Sequence, residues 1–337
     1  MIKQNNILEE IILKARGTGT RIVLPEGTDP RTIEAAIEAV RLDLGHLILL
    51  GNEVEILAKL PKKVAEKVVV LSPKSCPRDC DIYAERLYNL RKHKGLTLDE
   101  AKMEVLNPMV FATMMVYSGD ADGIVAGLEY KTSDVVRPAF QIIKAKEGVS
   151  KISSAMIMQM PKNSTLGENG VLVFADCGII PEPTSEDLAD IAISSAQTAE
   201  ALCQIKPRVA LLSFSTKSTN DTGYESVEKV KQALKIIQSK MPNLIVDGEL
   251  QADSALVPSV SKAKCPNSIL GGRANVLVFP DLNSANIAYK LVQRIAGIEA
   301  IGPILQGLNK PVNDLSRGAT AQEMVRAIAI TILQASK

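Results

Sequence analysis

Short, nearly continuous apolar runs alternate along this chain with longer segments in which apolar residues recur every third or fourth position. The runs "RIVLPEG", "HLILLG", "KVVVLS" and "ADGIVAG" read as buried strands, the first ending in a turn. The segments "DPRTIEAAIEAV", "NEVEILAKL", "IYAERLYNLRKHKG", "TLDEAKMEVL", "PMVFATMMVYSG" and "TSDVVRPAFQII" read as helices. Asp29 is placed to cap its helix, with Pro30 at the first helical position. Residues 1–16 form an amphipathic pattern with Ile2, Ile7, Leu8, Ile11 and Ile12 on its apolar side. Continuous apolar strands separated by helices predict parallel sheets covered by helices on both faces.

The alternation breaks near "KAKEGVSK", residues 144–151. Two strand-like runs, "ISSAMIMQM" and "GVLVFADCG", then follow with only the polar cluster "PKNSTLGEN" between them, which predicts a hairpin-like entry to a second domain. That domain continues through a helix from Ser185 to Cys203, the strand "RVALLSF", a helix from Glu225 to Ser239, and the strands "LIVDGE" and "NVLVFPDL". Two helices, "NSANIAYKLVQRIAG" and "TAQEMVRAIAITILQAS", come last.

A length of 337 residues fits two domains rather than one core. With aromatics at 3% and no Trp, the core must be built from Ile, Leu, Val, Ala and Met. A formal net charge of +1 lends no support to a nucleic-acid or membrane-surface role. The five cysteines are scattered, and "CPRDC" has no second Cys or His pair to complete a zinc site, so they read as reduced thiols and no metal is expected. No signal peptide is recognisable, and no apolar run approaches the ~20 residues of a membrane helix. A cytoplasmic location is expected.

Phosphate-binding glycine signatures are missing: there is no GxGxxG and no GxxxxGK[ST], and "GGRAN", with Arg273 and Asn275, is the nearest approach. The stretch "NDLSRGAT" carries more chemistry. Ser316 and Arg317 stand one turn before a helix start, where free N–H groups and the helix dipole favour anions, and the guanidinium adds a planar donor fork. Thr320 and Glu323 match a capping box. Arg31 and Arg137 lie near helix starts, and Arg91 lies in "LRKHKG". "LLSFSTKST", with Ser215, Thr216 and Lys217, leaves a strand as a hydroxyl-rich loop.

These motifs resemble the phosphate acetyltransferase (phosphotransacetylase) family in its short form. The matching stretches are "RIVLPEGTDPR", "NPMVFATMMVYSGDADGIVAG", "TSDVVRPAFQII", "FADCGIIPEPTSEDLADIAI", "LLSFSTKST", "VDGELQAD", "GGRANVLVFPDLNSANIAYKL" and "KPVNDLSRG", in order from residue 21 to 318. The resemblance implies two three-layer α/β/α domains with mostly parallel sheets and the fold of the isocitrate and isopropylmalate dehydrogenases. Residues 1–147 with 297–337 would form one domain, and 148–296 the inserted second domain, with the active cleft between them. It implies a homodimer that binds neither nucleic acid nor membrane and is coupled functionally to acetate kinase. It also implies reversible acetyl transfer between coenzyme A and phosphate in a ternary complex, with coenzyme A as substrate and no bound cofactor.

Carried over by position, Ser316 donates to the carbonyl oxygen as it becomes an oxyanion, and Arg317 binds the phosphate. Arg91 and Arg137 serve the anionic substrates, and Arg31 lies near the phosphates of coenzyme A. Ser133, Ser215, Thr216, Lys217, Arg273 and Asn275 complete the set implied for coenzyme A and phosphate. Glu323 stands where the family has an Asp as general base, a longer carboxylate. Ala319 replaces a common Cys, and Ala285 and Ala288 stand where Gly is frequent. Three competing readings are phosphate butyryl transfer, a regulatory domain like those ending some malic enzymes, and a dehydrogenase on the same fold. The last would rest on fold analogy alone.

Overall fold

The computed structural model describes residues 6–161, 164–217 and 223–336. Ile2, part of the expected N-terminal stripe, lies outside them, as do the last two residues of "LLSFSTKST". The elements run α1 (Ile7–Ala15), β1 (Arg21–Leu24), α2 (Pro30–Arg41), β2 (His46–Leu50), α3 (Glu53–Lys59), α4 (Lys62–Ala65), β3 (Val69–Leu71), α5 (Pro77–Arg91), α6 (Leu98–Glu104), α7 (Pro108–Ser118), β4 (Gly123–Ala126) and α8 (Thr132–Pro138). Then come β5 (Ser153–Gln159), β6 (Val171–Ala175), α9 (Ser185–Cys203), β7 (Arg208–Leu212), α10 (Glu225–Lys240), β8 (Ile245–Leu250), α11 (Ala252–Leu256) and α12 (Pro258–Lys264). The chain continues with β9 (Val276–Val278), α13 (Leu282–Ala296), β10 (Glu299–Gln306), β11 (Val312–Asp314) and α14 (Ala321–Ala335).

The chain divides into two compact units, one made of residues 10–146 with 308–336 and the other of Glu147–Gly307 with the start of α1. The first unit holds a five-stranded, wholly parallel sheet in the order β11-β4-β1-β2-β3. Beyond the first residues of β1 and β2, its central strands are buried, as parallel strands covered on both faces must be. Asp29 caps α2 by accepting from the N–H of Arg31, and Pro30 opens the helix. Strand order reverses at β1: β2 and β3 lie on one side, β4 and β11 on the other. The carboxyl ends of strands at such a reversal are where α/β sheets bind ligands. The helix expected over 132–143 is α8 followed by a π-helical turn at Ala139–Ile143.

The second unit holds a six-stranded sheet in the order β10-β5-β6-β9-β7-β8, antiparallel across β10, β5 and β6 and parallel beyond. The expected hairpin-like pair is β5 and β6. Strand β10 pairs with β5, so this unit runs to Gly307, past the expected boundary at residue 296. A strand was not expected there because Gly302 and Pro303 interrupt it, and the register does shift between Ile301 and Ile304. Strand β11 was not expected either; three residues ending in Asn and Asp carry almost no strand signal.

In the first unit α14 lies against β4 so closely that a side chain on Gly123 has no room. A Cβ there would sit 2.5 Å from Thr331 Cγ2. The Thr331 hydroxyl donates to Ala327 O and accepts from Asn313 Nδ2, so the methyl cannot rotate away without loss. Gly123→Ala should therefore lower the unfolding midpoint, by about 1–3 kcal/mol of overpacking. Thr331→Ser, which removes the methyl and keeps the hydroxyl, should restore much of that loss in the double variant. Equal losses in single and double variants would locate the strain elsewhere.

Candidate active site

Three loops meet at the carboxyl ends of β1, β4 and β11. Glu26 follows β1 and is buried; its Oε2 accepts from the N–H groups of Gly127 and Leu128, and its Oε1 from those of Glu129 and Tyr130. The loop after β4 is thus wrapped around a protein carboxylate. Gly127 has φ +113 and would place a Cβ 2.4 Å from Leu315 O, so only glycine lets this loop pass under the one after β11.

Arg31 joins all three loops. Its Nε and Nη2 donate to the two carboxylate oxygens of Asp29 at 3.0 and 2.7 Å. Nη2 also donates to Leu128 O, and Nη1 donates to Arg317 O and Ala319 O at 2.7 and 3.1 Å. All five N–H groups of the guanidinium therefore end on protein acceptors. The guanidinium holds the buried Asp29 carboxyl below the usual carboxylate range. Arg31 was expected beside the phosphates of coenzyme A; here its donors are spent on the Asp29 carboxylate and on backbone carbonyls.

The loop that Arg31 supports presents Ser316 and Arg317, both exposed. Ser316 Oγ accepts from Gly318 N, which leaves its hydroxyl proton to donate outward. The Arg317 side chain makes no hydrogen bond or ion pair among the described residues. Thr320 caps α14, and both reciprocal bonds of the capping box with Glu323 are present. Glu323 Oε2 accepts from the backbone N and hydroxyl of Thr320. The sequence-level capping assignment thus holds, and the carboxylate remains exposed.

Among the other expected residues, Ser133 and Arg137 lie on α8, Arg137 in its last turn rather than near its start. Arg91 ends α5 and lines a pocket of about 600 Å³ with Lys94, Asp99 and Glu100. Ser215, Thr216 and Lys217 follow β7 in the second unit, where Lys217 pairs with Asp247 and Thr216 Oγ1 donates to Gln251. Asn275 is fully buried. Its Oδ1 accepts from Arg208 N, and its Nδ2 donates to Lys206 O and Glu168. With Arg273 it precedes β9, at the amino end of a parallel strand. The carboxyl ends of the parallel strands, where α/β sheets bind ligands, lie at the other side of this sheet.

Glu26 and Asp314 were not singled out from sequence. A Glu between Pro and Gly reads as a turn residue, and Asp314 reads as part of a turn-like loop. The only cue was position: each is an acid at the end of a parallel strand, where burial is the rule.

If Arg31 fixes the Ser316–Arg317 loop, Arg31→Lys should loosen it, because an ammonium offers three donors in place of five. Backbone amide hydrogen exchange over residues 316–320 should quicken by roughly tenfold, with the rest of the sheet unchanged. Unaltered exchange there would show that the loop holds its shape without Arg31.

A sequence profile described as phosphate acetyl/butaryl transferase matches residues 6–332. The phosphate acetyltransferase of Thermoanaerobacterium thermosaccharolyticum is 47% identical over 330 residues, which is 98% of this chain and 99% of that one. A phosphotransacetylase from Streptococcus pyogenes, known from its crystal structure, is 40% identical with a TM-score of 0.90 over 98% of each chain. A 4-hydroxythreonine-4-phosphate dehydrogenase from Klebsiella pneumoniae, 13% identical, has a TM-score of 0.54 over 95% of this chain and 99% of its own, a likeness of fold alone. The architecture is thus one that phosphotransacetylases share with dehydrogenases, and the chain belongs to the phosphate acetyl/butaryl transferase family.

Proposed function

We propose that this chain catalyses the reversible transfer of acetyl between coenzyme A and phosphate. The observation that carries the reading is the 47% identity, across almost the whole of both chains, to a relative named phosphate acetyltransferase. The exposed Ser316–Arg317 loop at the N-terminus of α14 is chemically suited to it.

In the direction of thioester synthesis the coenzyme A sulfur attacks the acetyl phosphate carbonyl. The C–S bond forms, the C–O bond to phosphate breaks, and phosphate leaves with the bonding electrons. Negative charge grows on the carbonyl oxygen, where the free Ser316 hydroxyl proton is suited to donate; one such donor contributes about 3 kcal/mol in comparable sites. The leaving phosphate is an anion, and the exposed Arg317 fork suits it. A free thiol has a pKa of about 8.5, so a proton acceptor helps at neutral pH. We assign that role to Glu323, whose Oε1 makes no hydrogen bond among the described residues. Arg137 and Ser133 on α8, and Arg91 at the end of α5, are assigned to the anionic groups of the two substrates.

The homodimer belongs to the same proposal. Helix α13 buries only Ala285, while Ile287, Leu291 and Ile295 stand exposed one turn apart, the last at 81%. Such a stripe suits a second copy.

Two measurements check these readings. Coenzyme A-dependent turnover of acetyl phosphate, with butyryl phosphate beside it, should favour acetyl. Glu323→Gln keeps the reciprocal cap, since Gln also caps at this position, and should lower kcat by about 10²-fold or more. Arg317→Gln should lower kcat/KM for acetyl phosphate by a similar factor. Parental rates in either variant would remove that residue's role, and no turnover with either acyl phosphate would remove the function. For the assembly, Leu291→Asp should convert a dimer to a monomer in sedimentation analysis; a parent that is already monomeric would end that part of the proposal.

A further inference from the structure

Asp314 has no part in the transfer scheme, yet its setting is unusual. It ends β11 two residues before Ser316 and is 4% exposed. Its Oδ2 accepts from Thr132 Oγ1 at 2.7 Å. Thr132 is the first residue of α8, the helix that carries Ser133 and Arg137. Its Oδ1 is buried and accepts no hydrogen bond from a described residue. Gly127 packs so near that oxygen that a Cβ would lie 2.5 Å from it. A buried carboxylate with one oxygen unmatched is costly to keep ionised.

The groups around it do little to offset that cost. Glu26, in the loop after β1, faces it with a charge of the same sign. Helix α8 carries Asp134 and Arg137, charges of opposite sign. Strand β4 is continued past it by the backbone of Gly127. Helix α14 meets β11 through Thr331 and Gln334, both uncharged and both bonded to Asn313. Burial, with a smaller push from Glu26, raises the carboxyl to about 6, and the Thr132 hydroxyl works in the opposite direction.

We propose that Asp314 is an ionisable positioning residue for the transfer reaction: through Thr132 its carboxylate ties the start of α8 to the loop carrying Ser316 and Arg317, and uptake of a proton from solvent slackens that tie. A protonated carboxyl accepts the Thr132 hydrogen bond less well than a carboxylate does. The groups assigned to the acyl oxygen and the phosphate would then be held together above the titration and less well below it. This inference rests on the acetyl-transfer reading of the same loops.

The test measures kcat with saturating acetyl phosphate and coenzyme A from pH 5 to 8, together with thermal unfolding at each pH, for the parent, Asp314→Asn and Thr132→Val. The parent should lose activity on the acid side with a midpoint near pH 6. Thr132→Val removes the tie itself, so it should show no acid limb at that midpoint and a kcat at pH 7.5 roughly tenfold below the parent's. Asp314→Asn should show no acid limb at that midpoint, and a kcat at pH 7.5 roughly tenfold below the parent's.

The folded state raises the affinity of Asp314 for a proton. The parent should therefore gain stability as the pH falls through the titration, and Asp314→Asn should not gain that share. An acid limb at one midpoint in all three chains, or a parental kcat in Asp314→Asn at pH 7.5, would overturn the inference. If Asp314→Asn does not fold, Thr132→Val alone decides, and an acid limb at the parent's midpoint in that variant overturns it. If the parent transfers no acyl group, the acetyl-transfer reading fails and the melting curves decide. A difference between parent and Thr132→Val that varies with pH then supports the tie, and a pH-independent one refutes it.

Discussion

A single carboxylate organises the first unit. Four successive N–H groups, from Gly127 to Tyr130, converge on Glu26. A run of N–H groups turned one way is an anion-binding concavity, and its usual occupant at the end of a parallel strand is a ligand phosphate. Here the protein supplies the anion itself. The N–H groups of that loop are therefore taken, while its neighbour, the turn after β11, presents Ser316 and Arg317 at the surface. Arg31 then hangs that neighbour from the loops on either side through the carbonyls of Leu128, Arg317 and Ala319. What is free to bind is defined by what has already been bound.

The arginines divide along the same line. Arg31 has all five guanidinium donors engaged and Arg21 four of them, on Asp122 and the carbonyls of Gly119 and Asp120. Arg317 stands beyond them with its fork engaged by none of the described residues. A guanidinium cannot lose its charge under ordinary conditions, so its availability depends wholly on how many of its donors already have partners. Charge count therefore says little about anion binding in this unit, and donor accounting says a good deal.

Much of this was legible in the chain. Apolar runs located the central strands because a strand buried on both faces has no polar face to blur the signal. Helix α9 was read from Ser185 to Cys203 to the residue, since it is bounded by a capping Thr184 at one end. The loop "NDLSRGAT" was legible because Ser, Arg and a capping box coincide within it. Arg31 was read as a ligand group because sequence shows that an arginine is near a helix start and not where its donors point. Glu26 and Asp314 were passed over for a related reason: an acid in a turn is ordinarily solvated, and only the sheet order reveals that these two are beneath other loops. Strands β10 and β11 failed for want of length or regularity, being recognised only through the partners they pair with.

The two segments that make the first unit carry a kinetic consequence. Its edge strand, its last helix and the loop with Ser316 all come after residue 307, whereas the second unit is complete by then. During synthesis, which runs from the N-terminus, the second unit has every strand of its sheet before β11 exists. The earlier-made, larger segment of the first unit must wait with Gly123 and its neighbours on β4 uncovered, since α14 is what covers them. The order of translation thus makes the loop with Ser316 and Arg317 among the last parts of the molecule to be seated.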